Sequence, residues 1–277
     1  MGKDATLNQN NELIGLIPAA GKSTRISPLP CSKEIFPVGF HGKKQNQSFR
    51  PKVACEYLLE SMGQAGAESV YVILRDGKWD IPSFLGNGSS FNMNLAYLLM
   101  ELPFGVPYTL DSAFPFIEGK QVVFGFPDIL FQPKDAFVQL MEKHNSSKAD
   151  IVLGLFPASN PPKMDMVELD DSGNVRGIQI KPSQTDLSYT WIIAVWNFSF
   201  TQFMHDFVTI HQKKIPSARI TSNNVDFDEI YLGDVIQAAL GAGIKIDKVI
   251  FNQGFYIDIG TPEDMLSAIQ SHSSLCT

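Results

Sequence analysis

Lys22, Arg25 and Lys33 fall within a stretch of twelve residues, directly after an apolar run that ends in Ala19, Ala20 and Gly21. Residues with almost no side chain let backbone N–H groups approach an anion closely, and three cations supply the charge to hold it. A polyphosphate suits this arrangement. A second group able to do chemistry is Asp128, just beyond the short apolar run Val122 to Phe126. A carboxylate at the end of a buried strand faces the crevice where open α/β sheets bind ligands. Two other phosphate loops are excluded by counting. Gly21-Lys22-Ser23 looks like the tail of a Walker A loop, but the glycine required five positions earlier is Leu16. A dinucleotide fingerprint needs further glycines where Ser23 and Ile26 stand, which argues against hydride transfer.

Strands and helices must alternate to hold such groups. Leu13 to Ile17 reads as a buried strand, Gly39 to Lys52 as a polar, basic loop, and Val53 to Gly66 as a helix feeding the strand Ser69 to Leu74. Strand-like runs at Met93 to Met100, Val122 to Phe126 and Ile151 to Phe156, with a helix over Pro133 to His144, continue the pattern. Such alternation predicts a mainly parallel sheet covered on both faces. Met166 to Leu169, Val175 to Lys181 and Trp191 to Trp196 are closely spaced strand-like runs, the first two joined by turn residues Asp170 to Asn174. Tyr189, Trp191, Trp196, Phe198 and Phe200 read as aromatics of a packed sheet, with a stacking platform as the functional alternative. A helix near Gly233 to Leu240, strands at Ile244 to Phe251 and Phe255 to Ile257, and a final helix opening at Thr261-Pro262 complete the reading.

The 277 residues suit one large α/β domain or two small ones, and 44% hydrophobic content is normal for a globular core. A net charge of -7 argues against nucleic acid or a membrane surface as partner. Cys31, Cys55 and Cys276 are odd in number and lack metal-ligand spacing, which favours a reducing compartment. Cys31 reads as a small filler rather than a reactive thiol. The polar N-terminal run Asn8 to Glu12 has neither a signal-peptide nor a membrane-span pattern, so a cytoplasmic location is expected.

The stretch from Leu13, LIGLIPAAGKSTRISPLPCSKEIFPVG, resembles the nucleotide-binding signature of the sugar-1-phosphate nucleotidyltransferases. The branch it is most similar to is glucose-1-phosphate thymidylyltransferase-like and reads L-x-P-A-A-G-x-G-T-R-L-x-P-L-T-x-x-x-S-K-x-L-L-P-V. Ser23 stands where that branch has its second glycine. Gly254 to Pro262 is similar to the family's G-x-W-x-D-x-G-T-P run, and Lys181-Pro182 to its E-K-P motif.

The resemblance implies a Rossmann-like three-layer α/β/α fold with a mixed, mainly parallel central sheet, the nucleotide-diphospho-sugar transferase fold. It divides one domain, 1–277, into a nucleotide-binding part (12–160), inserted sugar-binding strands (161–200) and a C-terminal part completing the metal site (201–277). Too few residues follow the last helix for an appended β-helix domain. By the same resemblance Ala19, Ala20, Gly21, Lys22, Ser23, Thr24 and Gly105 meet the nucleotide. Arg25 and Lys33 act on its phosphates, Lys181 contacts the sugar-linked phosphate, and Asp128 with Asp258 binds Mg2+. Asp165, Glu168, Ile180 and Ala194 fall at sugar-facing positions.

Recognition residues depart from the family more than catalytic ones. Met100 stands near the expected base-reading glutamine, Ile180 replaces the glutamate before the lysine, and Ile193-Ala194 replaces a T-G pair. The implied activity is magnesium-dependent joining of a nucleoside triphosphate, dTTP or UTP favoured, to a sugar-1-phosphate, with release of pyrophosphate. Two alternatives stay open: a weakly catalytic nucleotide or nucleotide-sugar binding regulator, and transfer to a non-sugar phosphate or phosphonate. A homo-oligomer is also left open.

Overall fold

A computed structural model describes residues 12–41, 50–100, 104–213 and 229–273. The first half carries β1 (Leu13–Ala19), β2 (Pro37–Phe40), β3 (Pro51–Val53), α1 (Ala54–Gln64), β4 (Ser69–Leu74), α2 (Asp80–Leu85), β5 (Asn94–Leu99), α3 (Val106–Asp111) and β6 (Gln121–Gly125). Then follow β7 (Ile129–Gln132), α4 (Ala136–Ser147), β8 (Ile151–Pro157), β9 (Met166–Leu169), β10 (Val175–Gln179), β11 (Tyr189–Trp196) and α5 (Phe198–Gln212). The described chain ends with α6 (Leu232–Gly241), β12 (Ile246–Ile250), β13 (Phe255–Asp258) and α7 (Pro262–Ser273).

β1 is central because it is apolar on both faces, as a doubly covered parallel strand must be. It pairs in parallel with β4 and β6, and β4 pairs in parallel with β5. Ile14 and Leu16 enter one core, under α3, α5 and α6; Ile17 and Ala19 enter the other, under α1, α2 and α4. These are the three layers. β11 runs antiparallel to β6 and β8, and β12 extends the sheet beyond β8. The mixed, mainly parallel sheet expected from the resemblance is therefore present.

One edge of β11 is shared by two strands. β6 takes Ile193 to Trp196, and β9 takes Tyr189 and Thr190. Between them the sheet forks at Trp191 and Ile192, where the register against β8 also shifts. The bulge resets the alternation, so Trp191, Ala194 and Trp196 all face the first core while Ile193 and Val195 face the second.

Some elements differ from the sequence reading. Residues 39–52 do not form one loop: β2 and β3 make an antiparallel pair at its two ends, and residues 42–49 lie outside the described residues, as do the N-terminal polar run to residue 11 and Cys276. Phe198 and Phe200 belong to α5 rather than to the sheet. Asn197 ends β11 by capping that helix, accepting the Ser199 N–H at 2.9 Å. Phe104 and Gly105 lead into α3, with Pro107 in its first turn. Thr261 caps α7 as expected, its hydroxyl oxygen accepting the Asp264 N–H. Among the described residues no helix is long and apolar enough to cross a membrane.

Candidate active site

The turn after β1 is anchored from below. Ser23 holds φ 54, a left-handed conformation that explains why glycine is favoured at this position. Its carbonyl accepts the N–H groups of Ile26 and Ser27 at 3.2 and 3.1 Å. Ile26 is buried in a third, small core with Val38, Leu130, Ile259, Met265 and Ala268, so the loop carrying exposed Lys22, Thr24 and Arg25 is tied to the C-terminal helix.

Lys33 is gripped on either side. Its predecessor Ser32 donates its backbone N–H and hydroxyl to Asp80, at 2.6 and 2.8 Å, in the first turn of α2. Its successor Glu34, 2% exposed, pairs with buried Lys78. Burial pushes the Glu34 carboxyl up, against the pull of Lys78. Between these two anchors the Lys33 ammonium reaches Asp128. Burial disfavours its charge, but Asp128 in contact, with Asp258 and Glu34 beyond, holds its pKa above the ordinary value. Cys31, whose thiol is pushed up by burial and by Asp80 and Glu34, is no reactive thiolate.

Asp128 and Asp258 are 130 positions apart, and strand pairing joins them. β7 and β13 form a two-stranded antiparallel ribbon in which Asp258 faces Ile129, and the Ile259 N–H donates to the Asp128 carbonyl at 2.9 Å. Burial first, then the neighbouring Asp128 charge, pushes the Asp258 carboxyl up to about 6, while Lys33 and Arg25 oppose the shift. Arg25 joins this group through its charge on Asp258. A methyl group on Gly260 would lie 2.8 Å from Arg25 Nη2 and 3.2 Å from both Asp258 carboxylate oxygens. Two close carboxylates whose mutual repulsion resists ionisation suit a hard divalent cation such as Mg2+, which takes one or two protein carboxylates and completes its shell with phosphate oxygens and water. Among the described residues no third His, Cys, Asp or Glu joins them in a metal-binding group, which is compatible with that mode of binding.

A second cluster lies at the fork. Asp165 directly precedes β9, and Ile180 and Lys181 directly follow β10, whose Gln179 pairs with Met166. Lys181 holds φ 41, and its ammonium sits 3.6 Å from the centre of the Tyr231 ring, just ahead of α6. Burial pushes the Asp165 carboxyl up to about 6, the Lys181 charge opposing and the Asp234 charge adding. Asp234 itself accepts the Tyr231 N–H at 2.8 Å.

The expected site residues thus fall into two groups, Arg25, Lys33, Asp128 and Asp258 in one, Asp165, Ile180 and Lys181 in the other. Others stand apart. Ala194 is wholly buried between β6 and β8. Glu168 lies at the margin of β9, 3.8 Å from Arg176. Gly105, at φ 119, packs against the Ile230 carbonyl at the approach to α6. Met100 receives the Thr109 hydroxyl on its sulfur at 3.5 Å. Lys78, Asp80, Tyr231 and Asp234 were not legible as site residues, because each acts through a partner that only the fold supplies.

Residues 14–274 match the family model described as nucleotidyl transferase. The chain is 28% identical over 237 residues to the low-salt glycan biosynthesis nucleotidyltransferase Agl11 of Haloferax volcanii, covering 85% of this chain and 62% of that protein. It is 25% identical over 254 residues to a glucose-1-phosphate thymidylyltransferase of Streptomyces antibioticus, covering 91% and 64%. The chain therefore spans less than two thirds of the length of these two relatives. Among solved structures, the fold is similar to that described as a glucose-1-phosphate thymidylyltransferase from Bacillus anthracis in complex with sucrose, with TM-score 0.75, 19% identity and coverage of 94% and 95%. It is also similar to a UDP-glucose pyrophosphorylase complexed with UDP-glucose, with TM-score 0.72, 14% identity and coverage of 95% and 98%.

Proposed function

The chain belongs to the nucleotidyl transferase family, and from that premise we propose that it joins a nucleoside triphosphate to a sugar-1-phosphate, giving a nucleotide-sugar and pyrophosphate. One observation carries this reading: three remote segments bring Arg25, Lys33, Asp128 and Asp258 onto one locus. Two cations and two carboxylates at the carboxyl end of a parallel sheet can hold a triphosphate and a divalent metal together.

In this reading the backbone of Ala19 to Thr24 cradles the phosphates, and Arg25 meets the charge that builds on the α-phosphate. Lys33 leaves Asp128 for a phosphate oxygen as the carboxylate finds another cation. Asp128 and Asp258 would hold Mg2+, which neutralises phosphate charge when bound. Lys181 swings from the Tyr231 ring to the acceptor phosphate, a motion a flexible ammonium makes at little cost. The attacking oxygen is already a phosphate oxyanion, so no general base is needed, and positioning with charge stabilisation carries the transfer. dTTP or UTP is favoured as donor.

Pyrophosphate release in the presence of magnesium, each common nucleoside triphosphate and a panel of sugar-1-phosphates tests the proposal. Release is expected to require one triphosphate and one acceptor together, and to fall at least 10²-fold in Asp258→Asn, the scale set by loss of one preorganised charge contact. Silence across the panel with triphosphate still bound would instead favour a nucleotide-binding regulator.

A further inference from the structure

Two buried polar atoms mark the fork between β6 and β9. Asp165 Oδ1 and Trp191 Nε1 are both buried with no hydrogen-bond partner among the described residues. Met166 pairs with Thr190 across β9 and β11, so Asp165, one step before, stands level with Trp191, one step after. Residues directly opposed on neighbouring strands present their side chains to the same face. Val167 and Trp191 both pack into the first core, which puts Asp165 on that face as well.

The carboxylate has little freedom. Its Oδ2 lies 2.5 Å from the point where a methyl group on Gly233 would stand, and Ile180 Cδ1 lies equally close to the same point. Glycine at the start of α6 is what leaves room for both. The backbone N–H groups of Gly233 and Lys181 favour the charged form of Asp165, while Oδ1 is left without a partner among the described residues.

An unpaired acceptor and an unpaired donor at facing positions suit a ligand group that is both. A hydroxyl gives its hydrogen to the carboxylate and accepts from the indole. An acetamido group does the same with its N–H and its carbonyl. An ammonium has no lone pair for Trp191. Resting on the reading of the Lys181 cluster as the acceptor site, we propose that Asp165 and Trp191 together determine acceptor specificity, by reading a ring hydroxyl or acetamido group of the sugar phosphate. Lys181 supplies the phosphate contact beside them. Sites built to hydrogen-bond a ligand group strongly reject analogues that lack it, because their own buried polar atoms then stay unpaired.

The test is steady-state kinetics of the wild type, Asp165→Asn and Trp191→Phe, at saturating triphosphate and magnesium. The acceptors are glucose-1-phosphate, N-acetylglucosamine-1-phosphate, glucosamine-1-phosphate and singly deoxygenated glucose-1-phosphates. Asp165→Asn keeps side-chain shape and Trp191→Phe keeps an aromatic ring, and unchanged far-UV ellipticity with a cooperative thermal transition in each would show that the fold is retained. Each is expected to raise the acceptor KM at least tenfold while the triphosphate KM stays within twofold. Preference for glucose-1-phosphate over the acetamido sugar assigns a hydroxyl, the reverse an acetamido group. An acceptor KM within twofold of wild type in both variants overturns the pair and leaves the nucleotidyltransferase reading intact. Preference for glucosamine-1-phosphate over both neutral sugars also overturns it, and a wild type inert with every acceptor overturns both readings.

Discussion

Gly260 sets how near Arg25 can come to Asp258. A methyl group there would meet the tip of the Arg25 side chain at 2.8 Å, and that tip can swing away. Gly260→Ala is therefore expected to cost less than about 1 kcal/mol of stability, as flexible-neighbour substitutions do, but to lower kcat roughly 10- to 100-fold by displacing one charge contact. Unchanged kcat in this variant would remove Arg25 from the chemistry. Asp165 makes the opposite bargain. Its folded pKa of about 6 lies above the ordinary 3.8, so the folded protein binds its proton more tightly than the unfolded chain. The stability attached to that proton is present below about pH 4 and is lost as pH rises to about 6. A shift of this size corresponds to ~3 kcal/mol at most, and partial exposure reduces it to about 1–2 kcal/mol. Asp165→Asn should be that much more stable than wild type at pH 7.5 and equal to it near pH 4, by urea unfolding. Equal stabilities at both pH values would contradict the strained carboxylate. A largely buried acid with one oxygen left unpaired, retained at such a cost, is what a ligand-reading role explains.

Lys33 owes its position to elements rather than to its own contacts. The segment leading into α2 holds Ser32 through Asp80 and Glu34 through Lys78. Lys78→Met leaves Glu34 buried without its partner, and a loss of about 3–5 kcal/mol is expected. Adding Glu34→Leu should restore most of that stability, since apolar replacements of buried ion pairs are often neutral, yet kcat should stay depressed because Lys33 has lost one anchor. Recovery of kcat together with stability would show the anchor to be purely structural. These pairings mark the limit of what the sequence discloses. The apolar run of β1, the glycine turn and the strand–helix alternation are local patterns, and they led to the mainly parallel sheet and to Asp128, whereas Asp258 and the three-layer fold came from the resemblance to the family. Ser32–Asp80 joins positions 48 residues apart, and no local period records it. Phe198 and Phe200 misled for another reason: a spacing of two fits a strand, and the single capping residue Asn197 decides otherwise. The fork arose from the register of β6 and β9 along one edge of β11, which no single strand carries in its own residues.

At the scale of the whole molecule, the site exists only when distant parts of the chain meet. β13 returns to β7, α7 covers Ile26 and Val38, and the Ile230 N–H donates to the Phe104 carbonyl at 3.1 Å. A ligand that bridges the loop after β1 and the β7–β13 ribbon therefore stabilises the entire fold if these parts unfold together. Binding at a hundredfold excess over Kd contributes ~2.7 kcal/mol, or roughly 5–10 °C in Tm for a chain of this size. Two probes separate cooperative from local unfolding. In Trp79→Phe, the half-exposed tryptophan near the Lys33 anchors is gone, and fluorescence comes only from buried Trp191 and Trp196 at the centre of the sheet. Far-UV ellipticity follows the helices on both faces. Both should melt together, and triphosphate with magnesium should move both by the same amount. Asp258→Asn should erase most of that shift while leaving the unliganded Tm at or slightly above wild type, because burial and Asp128 already disfavour the native charge at 258. A shift confined to one probe would mean that the N-terminal loop binds the triphosphate alone, and that the ribbon carrying Asp258 takes no part in holding it.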